Sequence, residues 1–206
     1  MRAWPVVLLG VLLVGCQSAP AEDRIGSAAE FAETMAKARD LTVERLVAFE
    51  SGIAMTEDDR MALEEAIPLT DRMIRFDPSA LGPRALRGKI FVALERPQDA
   101  RTAFENALKF GTVEKDQAAQ ALRAEIHLDL ARLAMTRQDY SEVIRQAQAG
   151  TALFPDPRLK VVEARAHVQR REFEEARALL KAALEQDPQV PEAASILKFI
   201  EEASQP

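Results

Sequence analysis

"EEARALLKAALEQDP", residues 174–188, decides the fold of this chain. Its alanines and leucines recur at the three- and four-residue spacing of one helix face, and Pro188, which cannot continue a helix, closes it. The same plan occurs three more times without gaps, in "EEAIPLTDRMIRFDP" (64–78), "DARTAFENALKFG" (99–111) and "EVIRQAQAGTALFP" (142–155). One column holds Ala66, Ala100, Val143 and Ala176, and four residues on stand Thr70, Phe104, Ala147 and Leu180. Eight residues further come Pro78, Thr112, Pro155 and Pro188, so three of the four segments are punctuated by proline.

Upstream of the last three segments lies a second apolar-periodic stretch, with Gly88, Ala131 and Ala164 at a matching distance. Three residues after that small residue stand Phe91, Ala134 and His167. A small residue with a ring on one helix, coupled to an alanine, a bulky residue and a terminal proline on the next, resembles the tetratricopeptide repeat. The resemblance spans roughly residues 45–188 and is specific in the last three units. It implies an all-α fold, a right-handed α-solenoid of stacked antiparallel helix pairs with capping helices at its ends. The expected units are about 81–112, 124–155 and 157–188, with a degenerate one at about 45–78. Small residues let two helices approach closely, so Gly88 should meet the following helix near Ala100, and Ala164 should do the same near Ala176. Phe91, Leu94, Phe104 and Leu108 are expected to bury one another inside their unit, at about 1.5–3 kcal/mol each.

Two departures stand out. The column spacing runs 34, 43 and 33 residues, so the third unit carries nine extra residues near "GTVEKDQAAQ", which should lengthen its first helix or the loop before it. The degenerate unit places Ala54 in the small-residue column without a ring after it, and Thr56 with Asp59 reads as a helix start. Residues 28–50 read as an amino-terminal capping helix with a possible break at Asp40-Leu41-Thr42. At the other end, about 190–203 reads as a capping helix with Ala194, Leu197 and Ile200 on its apolar stripe.

Ahead of the repeats, Val6 to Val14 form an apolar run behind Arg2, too short to cross a bilayer that needs about 20 helical residues. Leu13-Val14-Gly15-Cys16 resembles the lipobox of bacterial lipoproteins, which implies a signal peptide at 1–15 and a lipidated Cys16 as the first mature residue. An ordinary signal peptide cleaved nearby, for instance after Ala19, is the alternative. Two or more acyl chains anchor stably where one is marginal. Gln17 in place of an aspartate implies, by the same resemblance, sorting to the outer membrane, facing the periplasm. Residues 16–27, small and polar, read as a flexible tether, with 28–206 as the helical domain.

Composition excludes several classes. Removing residues 1–15 takes away one basic residue, Arg2, and leaves 26 basic against 33 acidic groups, a net of −7, which argues against a nucleic-acid partner. Cys16 is the only cysteine, so no disulfide is available within the chain and stability must come from packing. His127 and His167 are forty residues apart and suit packing better than a metal. The acidic clusters Glu57-Asp58-Asp59 and Glu172-Glu174-Glu175 fall at helix starts, where they complement the dipole. With no glycine-rich phosphate loop, GxSxG or HExxH, neither an enzyme activity nor a cofactor nor a small-molecule substrate is expected.

In the family that the repeats resemble, the first helix of each pair lines a concave face. That implies a basic row of Lys89, Arg132 and Arg165, flanked on one side by Ala85, Leu128 and Val161 and on the other by Val92, Met135 and Val168. Such a groove suits a peptide or protein carrying apolar side chains and a carboxylate. The family's carboxylate clamp needs asparagines that these first helices lack. The expected function is a membrane-anchored scaffold holding a protein or peptide partner in an envelope complex, with the membrane as second partner through Cys16. A pilotin-like or assembly-chaperone lipoprotein is the alternative, and an accessory subunit of an envelope enzyme a distant third.

Overall fold

The computed structural model describes residues 25–111 and 116–203. Cys16, the lipobox and most of the tether lie outside the described residues. Nine helices run through the described residues: α1 (Ala28–Glu50), α2 (Glu57–Phe76), α3 (Leu81–Ala93), α4 (Pro97–Phe110), α5 (Gln117–Thr136), α6 (Tyr140–Leu153), α7 (Pro157–Gln169), α8 (Phe173–Gln186) and α9 (Ala193–Ala203). No strand occurs among the described residues, and no described helix is long and apolar enough to cross a membrane. Each helix packs on the next, and the odd-numbered helices also touch in series, α1 on α3, α3 on α5, α5 on α7 and α7 on α9. That double contact makes an all-α solenoid whose one wall is the odd-numbered set.

The helix boundaries follow from local chemistry. Pro78, Pro155 and Pro188 each come directly after the C-cap residue of α2, α6 and α8, while Pro97 and Pro157 occupy the first turns of α4 and α7, where a missing N–H is harmless. Thr56 caps α2 reciprocally with Asp59: the Asp59 N–H donates to the Thr56 hydroxyl (3.2 Å) and the Thr56 N–H to the Asp59 carboxylate (3.0 Å). Between the helices of each of the last three pairs the chain turns in one way. Glu95, Gln138 and Arg171 take positive φ (58°, 59° and 62°), and the N–H groups of Arg96, Asp139 and Glu172 reach back to the carbonyls of Phe91, Ala134 and His167. These are Schellman turns, here built without the usual glycine.

The first pair repeats that turn with Gly52 (φ 76°) and an Ile53 N–H to Ala48 carbonyl bond. This corrects the expected register of the degenerate unit. Ala54 is exposed in the 51–56 connection, and α1, rather than a helix beginning near 45, is the partner of α2. Counting back from the turn puts Arg45 in the column of Gly88. The offset arises because Ala66 is nine residues into α2 while Ala100 is three into α4, and because the connection is longer. α1 is therefore one arm of a helix pair as well as the end cover. It is also continuous: Thr42 is buried with its hydroxyl donating to the Ala38 carbonyl (2.8 Å), so the helix accommodates the polar residue without breaking.

The aligned columns are the core. Ala66, Ala100, Val143 and Ala176 are all fully buried, as are Thr70, Phe104, Ala147 and Leu180. Apolar clusters straddle each pair and the first helix of the next, so no unit covers its own apolar face. Phe91, Phe104 and Leu108 share the cluster of α3, α4 and α5, but Leu94 packs the other way, with Leu46 and Leu63 against α1 and α2. At the carboxyl end Leu197 and Ile200 face the core as expected, with Ile196 beside them, whereas Ala194 is exposed and Ala193 is the buried alanine. The extra residues of the third unit lengthen α5, which runs from Gln117 to Thr136 against the thirteen residues of α3 and α7.

Candidate functional site

Along the odd-numbered wall the three basic residues expected in a row are present, and each is engaged by an acid, two of these acids from elsewhere in the chain and one from the same helix. Lys89 on α3 donates to Glu125 on α5 and stands 3.8 Å from Glu50 at the end of α1. Arg132 on α5 lies 3.4 Å from Asp129, and Arg165 on α7 reaches Glu192, just ahead of α9, at 3.0 Å. Arg158 is held by Asp156 at 2.6 Å. The wall is thus a ladder of alternating charge, in which Lys89 ties α3 to α1 and α5, and Arg165 ties α7 to the residue ahead of α9. Burial pulls the Lys89 ammonium down, but the Glu125 hydrogen bond and the charges of Glu125, Asp129 and Glu50 outweigh it, and its pKa ends above the usual lysine value.

Asp129 is the strained member. Its side chain is 13% exposed, its Oδ2 is buried without a hydrogen-bond partner among the described residues, and burial pushes its pKa up to about 6 despite Lys89 and Arg132. The folded pKa exceeds the unfolded one, so the folded chain binds the extra proton, and stability falls as pH rises from about 4 through 6. Asp129→Asn is expected to change little near pH 4 and to raise stability by on the order of 2 kcal/mol at pH 7.5, read from urea melts at the two pH values.

The apolar flanks divide. Ala85, Leu128 and Val161 are buried and belong to the core, each three residues before Gly88, Ala131 or Ala164 on the same helix stripe as the helix-packing residue; Leu128 and Val161 also edge a hollow on the wall, and Ala85 does not. Val92, Met135 and Val168 are half-buried at the edge of the core. Met135 and Val168 come together with Arg165, Glu192, Ile196 and Phe199 around an open cleft of about 410 Å³ between α5, α7 and α9. Phe199 is 55% exposed there. A smaller hollow of about 90 Å³ beside it brings Arg132, Arg158 and Arg165 near Leu128 and Val161. Ala85, Lys89 and Val92 line neither.

Phe199, Glu192 and Asp129 were not singled out by the sequence. Asp129 left a signal, since it occupies the column, two before the small residue, that holds Leu86 and Val162 in the neighbouring units. An acid in an apolar column marks a polar function or a pairing. Phe199 left none beyond a ring on the polar side of a short helix. The two histidines serve packing: His127 bonds Gln146 (2.6 Å), with burial lowering its pKa, and His167 bonds Glu172 (2.6 Å). Among the described residues no cluster of three or more metal-ligating side chains occurs.

This shape recurs among solved structures. The MamA RS-1 ArsTM double mutant superposes with a TM-score of 0.56 at 18% identity, over 82% of this chain and 85% of that one. YrrB, described as a TPR protein with an unusual peptide-binding site, gives 0.55 at 17%, over 85% of each. No curated protein matches. The sequence model of the tetratricopeptide repeat matches residues 86–142 and 128–191, together just over half of the chain. With the aligned columns buried and the paired helices stacked, this chain belongs to the tetratricopeptide repeat family.

Proposed function

We propose that this chain is an exported, lipid-anchored scaffold of a bacterial envelope complex, tethered through Cys16 to the outer membrane on its periplasmic side, that holds a polypeptide partner on the odd-helix wall. The cleft of Met135, Val168 and Phe199 carries this reading. An apolar hollow walled by fixed helices, with the Arg165–Glu192 pair on its rim, accepts a hydrophobic side chain and orients the polar backbone next to it. YrrB, of similar fold, is described as having a peptide-binding site, which supports a polypeptide as the occupant. The anchor rests on the sequence Leu13-Val14-Gly15-Cys16.

A photoreactive residue at Met135, activated in the native membrane, is expected to join the chain to one resident envelope polypeptide. Phe199→Asp should cut that adduct roughly tenfold, the order of loss for an anchor worth more than about 1.4 kcal/mol. The amino-terminal peptide of the mature chain is expected to begin at Cys16 and to carry the mass of its acyl chains. An adduct indifferent to Phe199→Asp removes the cleft from the account, and a mature amino terminus without acyl mass removes the anchor. Capture only of polypeptides in transit would assign the escort role in place of the resident one.

A further inference from the structure

On the side of α3 turned away from Lys89, three arginines, Arg84, Arg87 and Arg96, line a cavity of about 320 Å³ shared with α2 and α4. We infer that this cavity is a binding site for an oxyanion, a carboxylate or phosphate monoester, carried on an apolar body. It is separate from the odd-helix cleft and goes beyond the scaffold reading.

The guanidinium groups are held in place by rings. Arg96 and Arg87 lie 4.6 and 5.4 Å from the centroid of Phe91, and Arg84 lies 5.7 Å from that of Phe110. Stacking occupies the flat faces of a guanidinium and leaves its N–H edge for an acceptor. Two of the three already have one: Arg87 pairs with Asp71, and Arg96 with Asp99 at 2.7 Å and Glu64 at 3.6 Å. Arg84 does not. Its Nη1 is buried and makes no hydrogen bond among the described residues. Asp77 acts on it electrostatically without forming an ion pair with it, and Oδ1 of that carboxylate accepts from the N–H and hydroxyl of Ser79 at 2.9 and 2.6 Å.

A buried guanidinium N–H without an acceptor is costly, and the group that relieves it best is a bidentate oxyanion. Asp71, Asp99 and Glu64 offset Arg87 and Arg96, so the unmatched group that draws an anion is the N–H edge of Arg84. Thr102 and Asn106 offer neutral hydrogen bonds, while Ile74, Phe91 and Phe110 supply an apolar floor. The volume is at the lower end for small-ligand sites of roughly 300–1,000 Å³, which sets the size of the ligand near one side chain with its charged group.

The test titrates the full-length chain with phenylacetate, benzyl phosphate and benzyl alcohol, following the arginine Nε–Hε signals by NMR. Both anions are expected to shift Arg84 and Arg87 saturably at roughly millimolar Kd, with the alcohol roughly tenfold weaker or worse. Benzyl phosphate binding tenfold more tightly would identify a phosphate monoester as the natural group; equal or tighter phenylacetate would identify a carboxylate. Arg84→Gln should weaken the anions roughly tenfold while Lys198→Gln leaves them unchanged. Should Arg84→Gln not fold, Arg96→Gln, on an exposed side chain, is expected to give a loss in the same direction. Absence of saturation, an alcohol that binds as well as the anions, or folded variants that bind as the parent does would overturn the assignment.

Discussion

Phe104→Ala is expected to lower the unfolding free energy by about 3–5 kcal/mol, read as a drop in urea midpoint at unchanged slope. Phe104 is fully buried between α3 and α4, and its ring is what Gly88 was left bare to meet. A Cβ placed on Gly88 would come within 2.3 Å of the Phe104 ring, closer than any real carbon contact. Neither partner can give way: the ring is enclosed by its cluster, and Gly88 is in mid-helix. Gly88→Ala in the parent should therefore cost about 1–3 kcal/mol, although alanine is the better helix former. In the Phe104→Ala background the same change should cost nothing or stabilise by up to about 1 kcal/mol, because only the helix preference remains. The reversal of sign is the measurement that matters. If Gly88→Ala costs the same in both backgrounds, the close contact does not hold the pair together.

A second large effect is expected at the other end. Leu180→Ala should cost about 2–5 kcal/mol, and the loss should show first as local opening of α8 and α9. Leu180 is fully buried in the cluster that binds Ala176 and Ala183 to Val190, Ala193 and Ile200. In a stack held by nearest-neighbour contacts, a terminal interface can fail while distant units stay closed. Hydrogen exchange should accelerate in α8 and α9 with α3 and α4 unchanged. Uniform acceleration across all helices would show instead that the solenoid opens as one body.

The charge ladder and the cleft explain why the odd-helix wall was only half legible. Lys89, Arg132 and Arg165 could be placed in a row because they share a repeat column. Two of their acids could not: Glu125 is 36 residues from Lys89 and Glu192 is 27 from Arg165, and neither spacing belongs to any one helix, whereas Asp129 is one helical turn from Arg132. The basic groove of the sequence thus becomes a mixed-charge wall.

What the sequence by itself determined is the helical repeat. Apolar spacing along one helix, prolines after α2, α6 and α8, and the small residues of the columns are one-dimensional properties, and a side chain either fits a close helix contact or does not. What only the tertiary structure decided is register and neighbourhood. The pairing of α1 with α2 depends on a connection whose length no periodicity records, and the inward turn of Ala85, Leu128 and Val161 depends on which stripe each first helix gives to its partner. The meeting of Met135 with Phe199 depends on how successive pairs stack, and that of Arg84 with Phe110 on how α3 and α4 pack within one pair. Those contacts join residues far apart in the chain, and only the packing of whole helices brings them together.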